Sequence, residues 1–175
     1  REVGARTWWE GHDLYLDCSH ADGTVIPEHF SGKMRSSVIL MGAMLGRNGK
    51  AQTGYPGGCV IGKRPVDLHI QVLQKLGARI VENGSEIQAA CGKLKAAEII
   101  FPKSSVGATE QGILAAVLAE GKTVLSGCAR EPEINWLCQY LTGMGARIEI
   151  LKNGRICIEG VKKLHPGSGT IPPDR

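Results

Sequence analysis

The feature that most limits how this chain can fold is a four-residue phrase that returns twice. It reads VGAR at 3–6, LGAR at 76–79 and MGAR at 144–147. The three glycines are separated by 73 and then 68 residues. Self-similarity at a steady period means that one supersecondary unit recurs, so the unit is the first object to define.

The flanks of the phrase define it. Behind the second and third copies come RIVENGSEI at 79–87 and RIEILKNGRICI at 147–158. Both alternate like strands around an Asn-Gly pair, Asn83 with Gly84 and Asn153 with Gly154, a strong hairpin signal. Glu10, Gly11 and His12 hold the same place in the first copy. Ahead of the phrase lies a helix. Val66, Ile70, Leu73 and Gly77 share one helical face, as do Ile134, Leu137, Leu141 and Met144. Both helices are predicted to begin at a proline, Pro65 and Pro132, whose missing N–H costs nothing in a first turn. Both are predicted to end at the glycine of the phrase.

A second helix is expected ahead of each unit, over about 34–45 and 109–119, ending near Gly46 and Gly121. Short strands follow at 50–54 and 122–127, and a crossover strand is expected at 97–101. The fold class is therefore α/β (α+β), built of repeated βαβαββ units of roughly 70 residues each. The expected division is 1–31 as the tail of a first repeat, about 32–96 as the second, about 97–165 as the third, and 166–175 as a linker. With no helix ahead of the first phrase, the chain reads as a fragment of a longer protein.

Composition narrows the chemistry. Apolar residues make up 42% of the 175, enough for a packed core. The net charge of +4 mildly favours an anionic partner, although solvated surface charge explains the same balance and is the preferred reading. Six cysteines stand at 18, 59, 91, 128, 138 and 157 without a CxxC pair, and Cys91, Cys138 and Cys157 fall in apolar periodic segments. Reduced, mostly buried thiols in a cytoplasmic protein are expected. The Cys and His spacings suit no metal-ligand set, and no apolar run approaches the ~20 residues of a membrane span.

Helix starts attract anions through free N–H groups and the dipole. Three candidates stand out: Arg64 with Pro65, Arg130 with Glu131 and Pro132, and KSSVGAT over 103–109. Capping by Ser105 or Thr109 accounts for the hydroxyls of the last; Lys103 beside them points instead to a phosphate or other polar ligand. The GxxxxGK[ST] pattern of nucleoside triphosphatases is absent. Cys59 lies in a glycine-rich turn beside Lys63 and Arg64. Positive charge and a nearby helix start lower a thiol's pKa, which suits a nucleophile or proton donor. A small residue fitting a tight turn is the equal alternative.

PGGCVIGKRPVDLH, with KMRSSV upstream and KSSVGAT and AREPEI downstream, resembles the UDP-N-acetylglucosamine 1-carboxyvinyltransferases, enolpyruvyl transferases that open bacterial peptidoglycan synthesis. The resemblance runs from about residue 32 to the closing PPDR, and more loosely back to Arg1. It implies an inside-out α/β barrel of two lobes, each of three βαβαββ units with helices packed inside, of which this chain covers most of the N-terminal lobe. It also implies transfer of enolpyruvate from phosphoenolpyruvate to the 3-hydroxyl of UDP-N-acetylglucosamine, by addition and elimination, without a cofactor. Cys59 would deliver the proton. Arg64 would bind the phosphoenolpyruvate phosphate, with Arg35 close by. Pro65, Val66, Asp67 and Leu68, with Lys103, Ser104, Ser105 and Val106, would hold the sugar nucleotide. The missing C-terminal lobe of the same protein would close the cleft, and a fosfomycin-type epoxide would alkylate Cys59. Roles in cell-wall biogenesis, cell shape and division follow from the same resemblance. Neither nucleic acid nor membrane is an expected partner. The shikimate-pathway enolpyruvyl transferase and a non-catalytic sugar-nucleotide-binding fragment are the alternatives. A nucleic-acid-binding module is a rival of another class, and it finds support in the pI near 8.8. It is opposed by only eight aromatics and by scattered basic residues.

Overall fold

A computed structural model describes residues 2–56 and 65–173. Cys59, Lys63 and Arg64 lie outside the described residues, as do the ends of the chain. A hairpin, β1 (Arg6–Glu10) and β2 (Asp13–Asp17), precedes two copies of one unit. The first copy contains β3 (Val25–Ile26), a short α1 (Glu28–Ser31), α2 (Ser36–Asn48), β4 (Lys50–Gly54), α3 (Asp67–Lys75), β5 (Arg79–Asn83) and β6 (Glu86–Ala90). The second contains β7 (Glu98–Ile100), α4 (Val106–Ala116), β8 (Lys122–Ser126), α5 (Pro132–Gly143), β9 (Arg147–Ile150) and β10 (Ile156–Glu159).

The two sheets have the same strand order, β3-β4-β6-β5 and β7-β8-β10-β9. In each, the first pair is parallel and the other pairs are antiparallel. Strand alternation turns Ala51, Thr53, Ile87 and Ala89 of one sheet inward, with Thr123, Leu125, Ile156 and Ile158 of the other. They bury against α2 to α5 in one continuous core that includes Met41, Leu45, Leu73, Ile113 and Ile134.

The repeated phrase has a physical cause. Gly77 and Gly145 adopt φ of +90° and +94°, which a side chain disfavours. The Gly77 N–H donates to Gln74 O and the Ala78 N–H to Leu73 O, both at 2.9 Å. Gly145 and Ala146 repeat the pattern with Thr142 and Leu141, again at 2.9 Å. These are Schellman caps, which satisfy the last carbonyls of α3 and α5. Ala78 and Ala146 are buried where the chain turns back into a strand.

Several expected boundaries shift. α2 runs through Gly46 to Asn48 and is closed by Gly49 at φ +68°. Gly46 serves packing instead, since a Cβ there would lie 3.2 Å from Leu118 Cβ. α4 starts at Val106, because Ser105 caps it. α3 begins at Asp67, so Pro65 precedes the helix rather than opening it, while Pro132 does open α5. The second unit starts with β3, ahead of residue 32; two residues are too short to leave an alternation pattern.

The link between the units is sewn into both. The Lys95 N–H donates to Leu76 O at 2.9 Å, Ala96 N–H to Glu120 O at 2.8 Å, and Glu120 N–H to Leu94 O at 2.9 Å. Leu94 and Leu76 are fully buried beside it. In the first hairpin Trp8 stacks on Tyr15, with centroids 5.3 Å apart. Its other face carries Thr7, Trp9, Leu14 and Leu16, and Trp9 is 67% exposed. No helix among the described residues is long and apolar enough to cross a membrane.

Candidate functional site

The starts of α3 and α4 lie far apart in sequence and meet at Gly107. A Cβ on Gly107 would lie 3.1 Å from His69 Cε1 and 3.5 Å from Ile39 Cδ1, so α2, α3 and α4 converge on this missing side chain. Val66 and Leu68 are buried on one side of the junction and Asp67 is exposed. Ser105 and Val106 are half-buried on the other, while Lys103 and Ser104 are exposed. Arg35, just before α2, donates from Nη2 to the carbonyl oxygen of Pro65 at 3.1 Å. Of the residues marked in the sequence, Arg35, Pro65, Val66, Asp67, Leu68, Ser105 and Val106 therefore belong to one neighbourhood, and Lys103 and Ser104 lead into it. Cys59 and Arg64 are outside the described residues.

The start of α4 is capped and anchored. Ser105 is extended (φ −147°), and its Oγ accepts from Ala108 N–H at 3.4 Å. Thr109 Oγ1 donates to Ser105 O at 2.8 Å and accepts from Ala129 N–H at 3.0 Å, tying this turn to the loop before α5. The first-turn amides of α4 have no intrahelical acceptors and sit at the positive end of its dipole. An open cleft of about 310 Å³ runs alongside, lined in part by Leu68, Val72, Phe101 and Pro102.

Beneath the junction is a polar pair that sequence reasoning missed. His69 is 2% exposed, and its Nδ1 lies 2.5 Å from Gln111 Oε1. An amide oxygen only accepts, so Nδ1 carries the proton. His69 Nε2 and Gln111 Nε2, both buried, have no hydrogen-bond partner among the described residues. Burial pushes the His69 pKa below its ordinary value; the Gln111 bond opposes this, the Arg35 charge adds to it, and Asp67 works against it. The available signal was positional: His69 falls on the buried stripe with Val66 and Leu73 in α3, where a polar residue needs a partner.

The α5 start is occupied differently. The Arg130 side chain donates from Nη2 to Asn153 O at 2.8 Å, in the β9–β10 turn. Its backbone N–H donates to Glu131 Oε2 at 2.8 Å. Burial, then the charge of Glu133, raises the pKa of Glu110 on the neighbouring face of α4. Among the described residues no group of three His, Cys, Asp or Glu side chains is placed to hold a metal.

The family described as EPSP synthase (3-phosphoshikimate 1-carboxyvinyltransferase) matches residues 1–175. A UDP-N-acetylglucosamine 1-carboxyvinyltransferase of Paramagnetospirillum magneticum is 45% identical over 166 residues, covering 94% of this chain and 38% of its own length. One of Caldanaerobacter subterraneus subsp. tengcongensis, numbered 2, is 45% identical over 173 residues, covering 99% of this chain and 42% of its own. The enolpyruvyl transferase NikO from Streptomyces tendae superposes with a TM-score of 0.80 at 20% identity, over 94% of this chain and 39% of that one. The last likeness speaks to the fold. The chain thus spans about 40% of the length of the curated relatives it matches.

Proposed function

The chain belongs to the EPSP synthase family of carboxyvinyltransferases, and on that premise we propose that it supplies one wall of an enzyme that transfers enolpyruvate from phosphoenolpyruvate to the 3-hydroxyl of UDP-N-acetylglucosamine. The observation that carries the reading is the junction at Gly107. It gathers Arg35, 65–68 and 105–106 around a helix start, in a chain 45% identical to proteins named for this reaction. In this scheme the first-turn amides of α4, with Ser105 and Lys103, take the diphosphate, and 65–68 take the uridine. Arg64 grips the phosphate of phosphoenolpyruvate, a role that suits its planar fork, and Arg35 lies nearby.

Chemistry follows from the acid. Cys59 delivers a proton to the vinyl CH2 carbon of phosphoenolpyruvate, and the adjacent carbon becomes electrophilic. The sugar 3-hydroxyl attacks that carbon and loses its proton to a base. Elimination then returns a proton from the new methyl group to a base, expels phosphate and restores the double bond. The base and a further phosphate-binding arginine come from a second lobe of the same protein. The setting is cytoplasmic and the product feeds cell-wall synthesis.

The family's own description favours one other acceptor, shikimate 3-phosphate. Calorimetry on the chain separates the two. Weak binding of UDP-N-acetylglucosamine, reduced in Arg64→Ala and with no response to shikimate 3-phosphate, is expected. Binding of shikimate 3-phosphate alone would replace this reading with the alternative.

A further inference from the structure

We propose that His69 is a positioning residue: through Gln111 and Gly107 it fixes the start of α3 against the start of α4, and so sets the geometry of the ligand site. The inference rests on the sugar-nucleotide reading of those two helix starts. Three observations carry it. His69 Nδ1 donates to Gln111 Oε1 at 2.5 Å, a bond between α3 and α4 inside the core. The imidazole edge fills the space where Gly107 lacks a side chain, one residue from Val106. His69 also follows directly on Leu68, so any rotation of its ring is felt at the α3 start.

The pair costs something to keep. Two buried polar atoms, His69 Nε2 and Gln111 Nε2, are left without partners among the described residues. A buried polar atom without a partner disfavours folding, and an apolar pair of similar volume would avoid that. What an apolar pair lacks is direction. A hydrogen bond fixes rotation and sliding of one helix against the other, whereas apolar contact tolerates both. A site assembled from two helix starts needs that fix, because a displacement near 1 Å weakens a ligand-binding geometry severely.

The test compares amide mimics of the two ring nitrogens in the chain of 175 residues. The Asn amide stands where Nδ1 stands and keeps a donor for Gln111; the Gln amide stands where Nε2 stands and loses it. Wild-type His69 should show a neutral Nδ1–H tautomer at pH 7 in nitrogen-15 imidazole spectra; an Nε2–H tautomer or an imidazolium would overturn the proposal. In His69→Asn, which keeps a donor for Gln111 but loses the ring edge at Gly107, the backbone amide shifts of Val66, Leu68 and Val106 should move less than in His69→Gln, which loses the donor. Gln111→Met, which keeps the volume and removes the acceptor, should move the same amides, and it serves if His69→Gln does not fold. Equal displacement in His69→Asn and Gln111→Met, or none in either, overturns the proposal.

Affinity for UDP-N-acetylglucosamine should follow the shifts, staying within about threefold in His69→Asn and falling about tenfold or more in Gln111→Met. Loss of binding in His69→Asn with amide shifts smaller than those of Gln111→Met would make His69 a direct ligand contact and overturn the positioning role. If no form of the chain binds the nucleotide, the functional reading fails, while the tautomer and amide shifts still decide whether His69 fixes the two helix starts.

Discussion

Gly42 of α2 meets Gln111 of α4 so closely that a Cβ on Gly42 would lie 2.7 Å from the Gln111 carbonyl oxygen. The same Gln111 reaches His69 with its side chain, so one residue of α4 takes the close approach of α2 and the polar bond from α3. Gly42→Ala gains up to about 1 kcal/mol of helix propensity. It also forces a methyl group against backbone, which costs about 1–3 kcal/mol in a packed core. The clash should win. Urea unfolding is expected to show a net loss of about 1–2 kcal/mol. A stabilised variant would mean that α2 and α4 have room to separate.

Ser105 is asked to do two things, and two substitutions divide them. Ser105→Ala removes a cap and should cost about 1 kcal/mol of stability, whereas Ser105→Gly should cost only a few tenths. If the hydroxyl also contacts a diphosphate, both variants should weaken nucleotide binding alike. Binding that tracks stability, strong in Ser105→Gly and weak in Ser105→Ala, would confine Ser105 to capping.

Protonation at one buried and one half-buried site should shape stability with pH. His69 has its pKa lowered from 6.5 in the fold, so the unfolded chain binds the proton more readily. Stability is undiminished above about 6.5 and falls as pH drops through the window below it. Glu110 runs the other way. Burial and Glu133 raise its pKa from 4.5, so its charge disfavours the fold above the raised value and ceases to do so once both states are protonated. Glu110→Gln is therefore expected to raise the melting temperature at pH 7, with the gain fading in acid. A gain that persists unchanged at pH 3 would remove charge as the cause.

Thiol labelling tests Cys59 against the described cysteines. Burial raises the pKa of Cys91 and Cys128, and that of Cys138 to about 11. These three should react slowly with a small alkylating agent at pH 7. Cys18 is exposed and is the real competitor. On the proposed role of Cys59, peptide mapping after brief treatment should find it modified first, since cations close by in sequence, Lys63 and Arg64, would favour a thiolate. Faster modification of Cys18 would show that access outweighs activation. If the proposed function holds, Cys59→Asp in the full-length protein should retain turnover yet resist an epoxide phosphonate of the fosfomycin type. Cys59→Ser should lose most turnover, since a hydroxyl is far too weak an acid for carbon protonation.

The repeat was legible because its signals are local. Asn83 with Gly84, Asn153 with Gly154 and the glycines of the phrase each encode a turn in two or three residues, and the hairpins formed where they point. Gly46 was misread as a helix end because a packing glycine and a capping glycine look alike in one dimension; only Leu118, far along the chain, separates them. Pro65 misled for a related reason, since proline is as acceptable before a helix as in its first turn. On the site, most of the marked residues that are described lie at the starts of α3 and α4, with Arg35 beside them. His69 and Gly107 stand inside the quoted stretches PGGCVIGKRPVDLH and KSSVGAT, and Gln111 outside them, yet all three escaped because their meaning is pairwise: each is explained by the other two.

The threading of residues 94–96 between Leu76 and Glu120 has a mechanical consequence. A hinge at this joint would have to break three backbone hydrogen bonds and expose Leu94 and Leu76, so thermal motion has no inexpensive way to bend it. The two units are not beads on a string but one stiff block.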